Sequence, residues 1–210
     1  MDLDIDVSRL KLLKANHQSQ QYHLEDNLLT YFPQQIKQNK SFIAGFQKDM
    51  ETLAAHQPPE GGFAGMLIRG DTLTDKDNAG AAILEACKEI KGTEAVEIGT
   101  YQGFTMSLSF EGFHHQLTLK GAMSHKVELG PDARGNLTRI DNSLAAMPER
   151  LKAVQAQLDN LYQQQAAAKA ELGKPFPQEA ELQQKSARLA ELNTLLDMDT
   201  GRPAPQQEAA

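Results

Sequence analysis

The segment Glu97-Ile98-Gly99-Thr100-Tyr101-Gln102-Gly103-Phe104-Thr105 fits the pattern E-I-G-T-x-x-G-x-[ST]. Glycines at that spacing let a backbone approach a bound cofactor at a strand-to-helix turn. The chemistry requires a helix directly after the glycines. Phe104, Met106, Leu108 and Phe110 instead alternate with Thr105, Ser107 and Ser109, the period of a strand. No second strand ending in an acidic ribose ligand follows about 20 residues on. The glycines therefore read as a hairpin turn between two strands.

Other reactive residue types are scattered. His114, His115 and His125 carry the only hint of a metal site, but adjacent histidines in a strand point to opposite faces and zinc needs three or four converging ligands. They read as surface or edge-strand residues. His17 and His23 fall on different faces of a helix. Cys87, among Ala82, Ile83, Ala86 and Ile90, reads as a buried structural thiol. Gly130-Pro131-Asp132-Ala133-Arg134-Gly135-Asn136 lacks the lysine and hydroxyl of a phosphate loop and reads as a turn into a helix. No catalytic residue, metal or cofactor is expected.

The candidate nucleic-acid contacts are Arg9, Lys11 and Lys14 in one stretch and Arg134, Arg139, Arg150 and Lys152 in another. Acids offset each set: Asp2, Asp4 and Asp6 for the first, Asp132, Asp141 and Glu149 for the second. The 210 residues hold 21 Lys+Arg against 28 Asp+Glu, a net charge of -7, which opposes nucleic-acid binding by bulk charge. One cysteine excludes an internal disulfide and fits a reducing compartment. With an acidic start and no apolar run near the roughly 18 residues of a membrane span, a cytoplasmic protein without membrane contact is expected.

The elements that position these residues fall into blocks. Residues 1–57 read as an N-terminal helical arm: Ile36, Ile43 and Met50 form one heptad row, Phe46 and Leu53 another, with Asn39 as the polar member. Tyr31-Phe32-Pro33 predicts a helix break, because proline disfavours helical geometry in the preceding residue. Gln57-Pro58-Pro59-Glu60-Gly61-Gly62 is a linker. Residues 63–130 predict a small α+β module. It holds a strand at Phe63–Arg69, a helix capped by Thr74 and running to about Lys91, then a mostly antiparallel meander with that one helix packed on it.

Residues 136–198 carry the rows Leu137, Leu144, Leu151, Leu158 and Ile140, Met147, Val154, Leu161, Ala168, with a kink or restart expected at Pro148. Gly173-Lys174-Pro175-Phe176-Pro177 breaks the pattern before Leu182, Leu189 and Leu196, which predicts an antiparallel C-terminal helical hairpin. Residues 199–210 are expected to be a disordered tail. The fold class is thus α+β: a small sheet flanked by long coiled-coil-like helices at both ends.

Several segments together resemble one family. They are Val7-Ser8-Arg9-Leu10-Lys11-Leu12-Leu13-Lys14-Ala15, Tyr22-His23-Leu24-Glu25-Asp26, Tyr31-Phe32-Pro33, Gly62-Phe63-Ala64-Gly65-Met66, Gly99-Thr100-Tyr101-Gln102-Gly103-Phe104, Arg134-Gly135-Asn136-Leu137-Thr138-Arg139-Ile140-Asp141-Asn142 and Pro175-Phe176-Pro177-Gln178-Glu179. The set resembles the extreme C-terminal region of very large proteins on conjugative elements of anaerobic gut bacteria, which join a Swi/Snf-type helicase to an adenine-specific DNA methyltransferase. None of the segments is a catalytic motif. The resemblance implies a non-catalytic accessory module that positions DNA or a partner protein beside the motor, with the heptad helices as a contact surface. Two alternatives remain open at this point. One is an S-adenosylmethionine-binding methyltransferase fragment, since the Glu97–Thr105 segment also resembles the first motif of S-adenosylmethionine-dependent O-methyltransferases. The other is a structural oligomerisation element whose heptad helices pair between chains.

Overall fold

A computed structural model describes residues 2–58 and 62–200, with the side chains of 197–200 set aside. The linker residues Pro59-Glu60-Gly61 and the tail 201–210 lie outside the described residues. The chain is α+β and divides into two compact units. One comprises residues 1–34 with 163–210, the other residues 35–162, so the boundaries fall inside helices rather than at the linkers.

In the first unit, α1 (Asp2–Asp26) runs into a π-helical turn, Asn27–Tyr31, and then into the start of α2 (Phe32–Ala55). The break expected at Tyr31-Phe32-Pro33 does not occur. Phe32 stays helical at φ -61, ψ -46, and its N–H reaches the carbonyl of Asn27, five residues back. A proline ring in a helix collides with the carbonyl four residues before it. The widened π turn ahead of Pro33 is the local device that keeps the helix unbroken.

The same unit holds the end of α5 (Met147–Glu171) and α6 (Glu179–Thr200). The expected hairpin of these two helices is replaced by packing of α6 on α1. Val7 and Leu10 meet Leu182 and Leu189, and Lys14–Glu179 (2.8 Å) with Lys185–Asp6 (2.7 Å) fix the antiparallel register. The Gly173–Pro177 break is also tied to α1. Gln21 accepts from Gly173 N–H at 2.6 Å and donates to Glu171 O, and His17 Nε2 lies 2.9 Å from Lys174 O.

The second unit is built on a six-stranded antiparallel sheet in the order β2-β1-β3-β4-β5-β6. Its strands are β1 (Met66–Ile68), β2 (Asp71–Leu73), β3 (Val96–Tyr101), β4 (Phe104–Glu111), β5 (His114–Lys120) and β6 (Ser124–Leu129). The expected strand Phe63–Arg69 is thus the short β1, followed at once by a second strand. Helix α3 (Lys76–Glu89) links β2 to β3; its cap is Asp75, which accepts from Asn78 N–H, rather than Thr74. Residues Ala133–Ala145 form α4, and α5 restarts one residue later with Pro148 in its first turn, where a missing N–H costs nothing.

One face of the sheet is apolar. Met106 pairs with Leu119 and Leu119 with His125, while Leu108, Leu117 and Val127 form the next row. More than the one expected helix covers this core. Phe46 of α2, Ile83 and Ala86 of α3, Leu137 and Ile140 of α4, and Met147 of α5 all join it. The heptad rows at 137–147 therefore cover a sheet. A stripe of apolar residues on a helix records burial, not which kind of surface buries it. The other face carries Thr100, Thr105, Ser107, Thr118 and Lys126.

Candidate functional site

The glycine-rich segment forms a hairpin. Gln102 (φ 47) and Gly103 (φ 82) turn β3 into β4, and residues 104–111 are strand. The helix N-terminus that a cofactor motif needs is not built here. Gly99 has a separate reason to be glycine. At φ 152 it lies in a register shift of β3, and a Cβ there would overlap the carbonyl of Leu67 on β1. Tyr101, at the end of β3, is buried and donates to Asp141 at 2.7 Å; Gln102 donates back to the phenol oxygen at 3.1 Å. Burial first, and the Asp141 carboxylate second, push the phenol well above its usual range, so Tyr101 stays a donor that ties the hairpin to α4.

His125 is on an edge strand as expected, yet its side chain is only 2% exposed, because the strand's alternate positions face the core. Its Nε2 lies 2.8 Å from Asp49 Oδ2, and Asp49 is 0% exposed. The same carboxylate accepts from Ala122 N–H at 2.6 Å and Met123 N–H at 3.0 Å. A helix carboxylate thus caps the β5–β6 turn. The ring faces Phe46 and Phe104, whose centroids lie 6.0 and 5.8 Å away. Two buried groups that resemble an acid–base pair are consumed in holding α2 to the sheet. Among the described residues no group of three His, Cys, Asp or Glu is placed to hold a metal. Cys87 is buried, and burial pushes its thiol up.

The basic candidates are divided between the two units, three in the first and four in the second. Arg9 and Lys11 are exposed on α1, and Lys14 is paired with Glu179. Arg134 grips Asp77 of α3 with two bonds, at 2.5 and 2.7 Å, and holds that carboxylate below its ordinary range. Arg139 donates to the carbonyl of Glu128 on β6. Lys152 pairs with Glu149 one turn away, and Arg150 is exposed on α5. The partners of Arg134 and Lys14 are on other elements, far off in sequence: 57 residues for Arg134 and 165 for Lys14.

A different surface has the features of a docking site. Three two-residue hairpins in this sheet have both central residues at positive φ: Arg69-Gly70 (52, 96), Gln102-Gly103 (47, 82) and Gly112-Phe113 (62, 108). Such turns favour glycine at positive φ, and L side chains there are strained by about 1–3 kcal/mol. The first two hairpins put glycine at the second position. The third puts Phe113 there, 97% exposed. Its ring therefore contributes little to the core while its backbone carries strain.

Beside Phe113 lies a groove of about 550 Å³ between α3 and the β4–β5 hairpin. Leu84, Phe110, Leu129 and Pro131 give it an apolar lining, and His115 makes a wall, fixed by its ring contact with Phe110 and by Ile90 O at 2.9 Å. Lys88 and Lys91 stand on the groove, and among the described residues no carboxylate lines it. Lys88 is bridged to Glu85, whereas Lys91 forms no ion pair among the described residues. These positions escape the motif reading. The order Gly-Phe, inverted from the usual Asn-Gly, between two alternating segments is the sequence signal that marks them.

No helix among the described residues is long and apolar enough to cross a membrane. No family model, curated protein or solved structure matches the chain.

Proposed function

We propose that this chain is a non-catalytic interaction module, cytoplasmic in setting, that docks a protein partner through the groove beside Phe113. The carrying observation is Phe113 itself: a wholly exposed aromatic in a strained backbone position that two sibling hairpins give to glycine. Exposed aromatics next to apolar grooves are typical anchors of protein interfaces. The polar groups with the most chemical promise, Asp49, His125 and Tyr101, are spent on internal hydrogen bonds, which supports a role without turnover.

The resemblance to the tail of helicase–methyltransferase proteins supplies the partner to try first, the motor region that such a tail would follow. The isolated chain is expected to bind a purified motor segment from a protein with this tail, measured by biolayer interferometry. Binding should weaken at least about tenfold in Phe113→Gly. Equal binding by both forms removes the groove from the interface. ATP hydrolysis or methyl transfer by the chain alone overturns the non-catalytic reading.

A further inference from the structure

We infer that the occupant of the Phe113 groove is an acidic peptide segment carrying apolar anchor side chains. This deepens the docking reading above and rests on it. A volume of about 550 Å³ over an apolar floor suits one or two large side chains inserted from a partner. The charge at the groove is one-sided. Lys88, in the last turn of α3, and Lys91, two residues past the end of that helix, both line the groove, and no carboxylate stands among the described lining residues. Of the acids near the groove, Glu85 is bridged to Lys88, which leaves Lys91 as the lysine without an ion pair among the described lining residues, and Glu128 lies 4.0 Å from His114. Glu128 pairs in register with Gln116 on the sheet's other face, and Glu111 accepts from Ser109 on that face. On a chain of net charge -7, a lysine-bearing apolar groove is a local exception to the overall field. Complementarity therefore selects a partner segment with Asp or Glu flanking its anchors.

The placement of Phe113 points the same way. In the other two hairpins, glycine at the second turn position relieves the strain. Keeping a phenyl ring there instead holds an exposed apolar group at the groove mouth, where an inserted side chain would meet it. Stability and binding thus place opposite demands on this position, a separation that a purely structural role would not produce.

The test is fluorescence anisotropy with three labelled probes: a synthetic peptide of Phe and Leu among Glu and Asp, its Lys/Arg counterpart, and single-stranded oligothymidylate. The acidic peptide is expected to bind and the basic one not. Phe113→Gly should weaken acidic-peptide binding at least about tenfold while raising the thermal midpoint by roughly 2–4 °C. Lys88→Glu with Lys91→Glu should weaken it by about tenfold as well, and Lys126→Glu, on the opposite sheet face, should leave it unchanged. Equal binding of both peptides, preferential binding of the oligonucleotide, or full affinity in Phe113→Gly overturns the inference. Where the motor segment still loses affinity in Phe113→Gly but the acidic peptide does not bind, the occupant is wrong and the docking site stands. Where Phe113→Gly alters neither, both fall.

Discussion

Asp49→Ala is expected to lower the chain's unfolding free energy by about 3–5 kcal/mol, the range for breaking a buried charged network by removing one partner. The carboxylate holds three donors at once, the N–H groups of Ala122 and Met123 and Nε2 of His125. Alanine leaves the histidine buried without its partner and frees the β5–β6 turn. Asp49→Asn should recover part of the loss, because one amide oxygen can still accept while the amide NH₂ opposes a donor. Urea unfolding followed by circular dichroism measures both. A loss below about 1 kcal/mol for Asp49→Ala, the worth of one ordinary hydrogen bond, would show that the turn does not depend on this cap.

Gly99→Ala is the second large effect, at about 3 kcal/mol or more. A methyl group at φ 152 must be accommodated against the backbone carbonyl of Leu67, and backbone cannot move aside as a flexible side chain can. The pairing of β1 with β3 should loosen, and with it the β1–β2 hairpin at the sheet edge. Thermal unfolding and hydrogen exchange at Met66–Leu73 report this. A cofactor role for the glycine makes the contrary forecast, a stable variant that loses only ligand binding. Wild-type stability in Gly99→Ala would reopen that reading.

These two positions mark what could be read from the chain and what could not. The alternation from Phe104 to Phe110 was legible because one sheet face is buried and the other is polar, so the strand carries its own record. It also converted the Gly99–Gly103 segment from a cofactor loop into a hairpin. Leu137, Ile140, Leu144 and Met147 were legible as a buried helix stripe, but not as a sheet cover, since periodicity is blind to the partner. Pro33 and Pro148 show the same limit for breakers. Pro148 falls in the first turn of α5, where its absent N–H is harmless, whereas Pro33 is absorbed by a π turn whose geometry no local residue announces.

Pairings across long separations were not legible at all. Asp49 and His125 are 76 residues apart, and neither carries a local sign of burial beside the other. The basic residues were weighed against acids nearby in sequence, although Lys14 and Arg134 find their acids on other elements. Phe113 is the exception among the missed residues. The order of the turn pair Gly112-Phe113 alone could have singled it out.

The most direct test of the docking account is hydrogen exchange on the full chain, alone and mixed with the motor segment proposed above as its partner. The account predicts slowed exchange at Lys88–Lys91, Phe110–His115 and Leu129–Pro131, the three stretches that line the groove. Protection confined to α1 and α6, with the β4–β5 hairpin exchanging as in the free chain, would contradict it.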